Sequence, residues 1–205
     1  MSMSDVVDRA SYIFGAYEDD SVAIINDPNF LTDCYILANS GKGNLLAELS
    51  KVFSVKLFSV HRDFASYVSS LAKMRFGLGE KNASSIIGKD VPIRNLMVLP
   101  LLLDTFDIVD FPVYDMEFVT SRTSAFVKDL FVSHGLGDLR GITMPSCDNP
   151  NPANKIDSSS IANHLKLLEQ RWKHFDNPAG IHQKIKVSSS EYANALRQMH
   201  QTWQQ

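Results

Sequence analysis

Three consecutive hydroxyls, Ser158, Ser159 and Ser160, head a stretch in which Ile161, Leu165 and Leu168 recur at helical spacing. Serines at such a place cap a helix, and their hydroxyls together with the unpaired N–H groups of the first turn suit phosphate oxygens. Asn163, His164 and Lys166 lie along the same stretch, with Lys155 just before it and Arg171 just after. An amide, an imidazole and cations spaced along one helix are side chains that contact base edges and phosphates in a DNA groove. On this reading Asn163 and Lys166 point into the major groove, while Lys155, Lys166 and Arg171 flank it as cations. His164 has two readings, a base or backbone contact and a structural residue hydrogen-bonded to the adjacent turn. The plainer alternative for the whole stretch is an amphipathic helix with a serine cap and a surface histidine.

No comparable set of residues points to catalysis. Gly41-Lys-Gly-Asn44 lacks the spacing and the closing Ser or Thr of a phosphate-cradling loop, and neither HExxH nor GxSxG occurs. Asp19-Asp20 is an acidic pair in a polar loop, which reads as solvated. Cys34 and Cys147 stand far apart with no CxxC spacing, so both read as ordinary reduced thiols rather than a disulfide or zinc site. His61, taken as a haem ligand, is a lone histidine in a polar loop. The expectation is a protein that is not an enzyme, with no cofactor and no metal.

The elements that must position the serine-headed helix follow from periodicity. Residues 5–17 carry Val6, Val7, Ala10, Ile13, Phe14 and Tyr17 at three-to-four spacing, which predicts a helix. Short apolar runs at 21–26 and 34–38, separated by Asp27-Pro28-Asn29, predict two antiparallel strands. Helical spacing returns at Leu45, Leu46, Leu49, Val52 and Phe53, and again from Phe64 to Met74. Strands are predicted at 96–106 and 107–114, with Pro112 suited to an edge or a bulge. From Thr120 the pattern is helical as far as His134-Gly135, a stop signal. A helix over 156–172 comes next, and Ser188-Ser-Ser-Glu191 resembles a capping box ahead of a last helix over 192–203. This order predicts an α+β fold, a small antiparallel sheet with helices over 1–118, followed by an all-helical domain over 120–205.

The chain has 205 residues, 44% of them hydrophobic and 21% charged, which excludes a wholly disordered protein. Its net charge of −3 is unevenly spread. Residues 1–150 hold 13 Lys and Arg against 19 Asp and Glu, whereas 151–205 hold seven against four, plus four of the six His. A basic end on an acidic body is the coarse footprint of a polyanion-binding protein, and equally that of a solvated helical tail. The apolar stretch 96–103 is broken by Pro100 and is far shorter than the ~20 residues of a membrane span. With no basic and apolar leader at the N-terminus, a cytoplasmic location is expected.

Two segments carry a family resemblance. Val22-Ala-Ile-Ile-Asn-Asp, the turn, and Cys34-Tyr-Ile-Leu-Ala-Asn39 are similar to the opening strand pair of PAS sensor domains, and Ile86-Ile-Gly-Lys89 resembles a phrase common there. Ser160, Ile161, His164 and Leu165 match the recognition helix of LuxR-type helix-turn-helix domains, and 126–136, ending in Gly135-Leu136, is similar to that family's scaffold helix. Between Ile142 and Ile156 the chain is longer than the family's turn and holds three prolines, and Ala162 replaces a basic residue. A PAS-like body followed by such a motif resembles TraJ-type activators of plasmid conjugative transfer, as do Arg62-Asp-Phe64 and Phe111-Pro-Val-Tyr-Asp115. The resemblance implies a cytoplasmic homodimer that binds promoter DNA and activates transcription, with residues 1–118 serving dimerisation or sensing. It implies Lys155, Ser158, Ser159, Ser160, Asn163, His164, Lys166 and Arg171 as the DNA-contacting set. The competing class is a structural or assembly protein, such as a viral component, that buries its apolar surface against a partner. A third is a small-molecule-binding protein for which no ligand can be named.

Overall fold

The computed structural model describes residues 30–63, 91–106, 108–137 and 178–204, with single positions at 5, 7, 8, 11, 12, 22, 24, 66, 67, 70, 166 and 170. Positions 5, 7, 8, 11 and 12 are helical, as are 66, 67 and 70, where helices are predicted.

The run predicted as a strand at 34–38 is helical instead, within α1 (Phe30–Asn39). Cys34 is fully buried beside Phe30 and Leu37, whereas Ile36 is 55% exposed. Burial at helical spacing is invisible in a continuous apolar run, which gives no period to read. Its partner strand at 21–26 is described only at Val22 and Ile24, both exposed and outside regular structure. Gly41, at φ 70, turns the chain out of α1, a left-handed conformation that glycine adopts without a Cβ penalty. Asn44 then caps α2 (Leu45–Ser50), its Oδ1 accepting from Ala47 N at 3.1 Å.

A second correction concerns 96–106, predicted as a strand and found inside α3 (Val91–Thr105). Leu99, Pro100 and Leu102 are buried while Leu101 is exposed, a helical rather than alternating pattern. Pro100 lacks an N–H for the helix ladder, yet its ring is wholly buried.

The sheet is built from β1 (Ser59–His61), β2 (Pro112–Asp115) and β3 (Lys186–Ser188), in the order β1-β2-β3. β1 and β2 run parallel, with Ser59 opposite Val113 and His61 opposite Asp115, and β3 is antiparallel to β2. The fold is therefore α+β, but the sheet is mixed rather than antiparallel. Parallel neighbours need a long crossover, and α3 lies within it. Pro112 starts the central strand rather than lying on an edge, a place where its missing N–H is tolerated.

Asp115 ends β2 and caps α4 (Met116–Ser121), its Oδ1 accepting from Glu117 N at 2.7 Å and Phe118 N at 3.2 Å. α5 (Thr123–Ser133) follows and closes at the predicted stop. Gly135 takes φ 67, and Leu136 N reaches back to Phe131 O at 2.9 Å. A 3-10 turn (Pro178–Gly180) and α6 (Ile181–Lys184) lead into β3, and α7 (Ser189–Gln204) completes the described chain. The predicted cap of α7 is present, with Ser188 Oγ accepting from Glu191 N at 3.0 Å. Glu191 pairs with Lys184.

Three apolar clusters hold these elements. Cys34, Leu45 and Leu46 meet Leu102 of α3. Leu99, Phe111 and Val113 meet Ile181, Val187, Tyr192 and Leu196. Tyr114 meets Phe126 and Leu130 of α5, with Phe58 and Phe118 against them. Elements from both sides of the 118/120 boundary thus share one core, and the C-terminal stretch contributes a strand as well as helices.

Candidate functional site

Of the residues proposed to contact DNA, Lys155, Ser158, Ser159, Ser160, Asn163, His164 and Arg171 lie outside the described residues. Lys166 is described, and it is helical and exposed, as is Gln170 one turn later. Cys147 is also outside the described set.

What the structure does place is the frame on either side of that stretch. Lys186, which opens β3, bonds Asp129 Oδ2 at 2.5 Å and Ser133 Oγ at 2.8 Å through its ammonium. Ser133 Oγ donates to Asp129 Oδ2 at 3.2 Å, and the Tyr114 hydroxyl donates to the same oxygen at 2.8 Å. One carboxylate oxygen therefore gathers a strand, a helix and a central-strand tyrosine. Burial opposes the charge on Asp129, but hydrogen bonds from Lys186 and Tyr114 outweigh it and hold the carboxyl below its usual range. Burial, with Asp129 adding to it, pushes the Tyr114 phenol upward.

A serine beside a lysine at this distance invites comparison with a nucleophile and its base, which requires a neutral amine. Here the ammonium is ion-paired to Asp129, so it has no lone pair to receive the serine proton. The cluster acts as a clamp. It ties the last turn of α5 to β3. No sequence pattern pointed to it, because Asp129 and Lys186 are 57 positions apart.

The clamp and its neighbours also change the meaning of the basic C-terminal charge. Lys186 pairs with Asp129, Lys184 with Glu191, and Arg197 with Asp104 at 2.6 Å. Two of these partners belong to the acidic body, so part of the asymmetry is neutralised inside the fold. Lys155, Lys166, Arg171 and Lys173 are the remaining cations of 151–205.

His61 is not a loop residue but the end of β1, 3% exposed, with Nδ1 2.5 Å from the Tyr192 hydroxyl. Its ring also lies tilted against Tyr192 at 5.2 Å between centroids. That arrangement occupies the imidazole in the core. Among the described residues, no group of three or more His, Cys, Asp or Glu is placed to hold a metal ion, and no helix is long and apolar enough to cross a membrane.

His134, at the end of α5, has a buried Nε2 with no hydrogen-bond partner among the described residues. Burial first, then the Lys56 charge, holds its imidazole below the ordinary 6.5, against a hydrogen bond to the Leu57 main chain that works the other way. The folded chain thus favours neutral His134, and the unfolded chain takes up the proton first as pH falls. Its contribution to stability is complete above 6.5 and is lost as pH falls from there towards the lowered value. Urea midpoints measured between about pH 8 and 5 are expected to fall less for His134→Gln than for the native chain. Parallel curves would assign the acid sensitivity to other groups.

Comparison with protein families, curated proteins and solved structures finds no match to this chain.

Proposed function

We propose that the chain is a DNA-binding transcription regulator, acting in the cytoplasm as a homodimer that activates from promoter DNA. Residues 155–171, within a DNA-binding part over 120–205, make the DNA contacts, and residues 1–118 are its dimerisation or sensing part. The observation that carries this reading is the clamp: Lys186, Asp129 and Ser133 tie α5, which precedes that stretch in the sequence, to β3, which follows it. A recognition element presented to DNA needs such a footing, because base contacts require a fixed register. α5, closing in Gly135-Leu136, adds support as the counterpart of the scaffold helix in the LuxR-type resemblance. Exposed, helical Lys166 suits a phosphate contact.

The ion pairs set the scale of the effect. With Lys155, Lys166 and Arg171 as phosphate contacts, the slope of log affinity against log salt is about −2.7 per chain engaged, or roughly a 40-fold loss from 50 to 200 mM. Replacing Lys166 and Arg171 with Ala is expected to weaken binding to random duplex DNA about equally for all sequences and to lower the slope by about two. An unchanged slope in that variant would remove these residues from the interface.

A second reading draws on the same ion pairs, which set Lys184, Lys186 and Arg197 against carboxylates of this chain and so weaken the positive surface they could offer a polyanion. In it the protein is a structural or assembly component. Light scattering alongside the DNA titration separates the two: a discrete dimer with steep salt dependence supports the regulator. Large concentration-dependent assemblies with no DNA binding at 50 mM salt support the assembly protein.

A further inference from the structure

Ile185, the residue between α6 and β3, has φ 68 and ψ −43. That is close to the γ-turn conformation, which is rare and strained for an L residue and most of all for a β-branched one. Among the described residues one other non-glycine has a positive φ, Ala179, whose φ 58 and ψ 13 fall in the milder left-handed helical region. A glycine would take the conformation of Ile185 without a Cβ penalty. Strain of this kind persists only where the surroundings hold it, and residues that carry it gather at switch regions.

Three contacts hold the corner, one on Ile185 itself and one on each neighbour. Ile185 O accepts from Asp115 N at 2.8 Å. Lys184 pairs with Glu191 of α7, and Lys186 with Asp129 of α5. Both pairs are open to solvent, so salt screens them and each contributes little. The Ile185 side chain is itself 41% exposed and anchors nothing deep. Two residues on, the strand is held differently: Val187 is buried opposite Val113, and Ser189 N donates to Phe111 O at 2.8 Å. Hydrogen-bonded positions alternate along an antiparallel pair, so with bonds at Ile185–Asp115 and Ser189–Phe111 the Lys186–Tyr114 position carries none of its own. Opening the leading end of β3 as far as Lys186 therefore breaks a single main-chain hydrogen bond to β2, and with it Lys186 leaves Asp129, Ser133 and the Tyr114 ring.

We propose that residues 184–186 are a latch that opens on its own, freeing Lys186 from Asp129 and Ser133 while Val187 keeps the rest of β3 on the sheet. Relief of the strain at Ile185 favours opening, and the two flanking ion pairs favour closure. The tie between α5 and β3 is thereby conditional on ionic strength, since salt weakens the pairs and leaves the strain untouched. Both states belong to the folded chain, because Val187 and the cluster around it stay buried in each. The proposal goes beyond the DNA reading and does not depend on it.

Amide hydrogen exchange of the full chain, followed by NMR, tests this with Asp115 N–H as reporter of the latch and Ser189 N–H as reference at the other end of the β2–β3 pairing. Asp115 is expected to be protected at least about tenfold less than Ser189, by an amount that low urea leaves unchanged, because a local opening exposes little surface. Raising NaCl from about 50 mM to 1 M is expected to lower the Asp115 protection factor about threefold and that of Ser189 less. Ile185→Ala keeps the Cβ and its strain, whereas Ile185→Gly removes both. The glycine variant is therefore expected to protect Asp115 at least about fivefold better than the alanine variant, the reverse of their order at an ordinary position. Equal protection of Asp115 and Ser189 with a common urea dependence overturns the proposal, since the end of β3 then opens only with the whole molecule. So does a glycine variant no better protected than the alanine variant, or an Asp115 protection indifferent to salt.

Discussion

A chain ending after Phe118 is expected to lose cooperative folding altogether. The cluster around Leu99, Phe111 and Val113 is completed by Ile181, Val187, Tyr192 and Leu196, all of which such a chain lacks. Ile181 is wholly buried and Leu196 almost so, while Val187 lies opposite Val113 across the β2–β3 pairing. At roughly 1.5–3 kcal/mol for each large apolar side chain withdrawn from water, these four represent about 6–12 kcal/mol. A whole domain has a net stability of only about 5–15 kcal/mol, so a remnant without them has little left. The remnant would also expose His61, which is buried against Tyr192, and leave β2 an open edge where β3 now pairs. Urea titration of residues 1–118 against the full chain, followed by far-ultraviolet circular dichroism, checks this. The expected result is a broad, non-cooperative drift. A sharp transition would establish residues 1–118 as a folding unit of its own and would make the shared core a docking contact.

The same residues show why some of the fold was legible in the sequence and some was not. Local chemistry was readable: Ser188 caps α7, Gly135 stops α5, and Phe126 and Leu130 face inward from one side of a helix. These signals depend on neighbours within a few positions. Cys34 and Leu102, in contrast, sit in runs that are apolar on all sides, where helix and strand offer the same composition. What decided for helix was packing of α1 and α2 on α3, a tertiary fact. The direction of β1 was beyond reach for a related reason, since parallel pairing depends on a crossover whose length and content do not encode handedness or partner residue by residue. The clamp is the extreme case. Tyr114, Asp129, Ser133 and Lys186 are unremarkable residues in sequence, and only the β2–β3 register brings Lys186 opposite Tyr114 and over its ring, 5.8 Å from its centroid. Of the residues proposed to contact DNA, the helical state and exposure of Lys166 can be set beside the sequence reading, since its fellows lie outside the described residues.

Replacing Tyr114 with Ala is expected to cost about 3–5 kcal/mol, and replacing it with Phe about 1 kcal/mol. The tyrosine is fully buried, meets Phe126 edge-on at 5.0 Å and stacks on Phe118 at 6.4 Å. Alanine removes the ring and leaves a cavity between β2 and α5, along with both aromatic contacts, each worth about 0.5–1.5 kcal/mol beyond burial. Phenylalanine keeps the ring and loses only the hydroxyl donor to Asp129. That carboxylate still holds Lys186 and Ser133, so no buried charge is abandoned and the loss stays near that of one hydrogen bond. Denaturant midpoints at constant slope measure both variants. Because α5 ends in the clamp, the Ala variant is also expected to loosen the hold of Ser133 on Lys186, while the Phe variant retains it. The ordering of the two variants is therefore diagnostic. A Phe variant as unstable as the Ala variant would mean that the hydroxyl, and not the ring, carries the junction of β2 with α5. In that case the polar cluster would be the main stabiliser of this end of the sheet and the aromatic packing secondary.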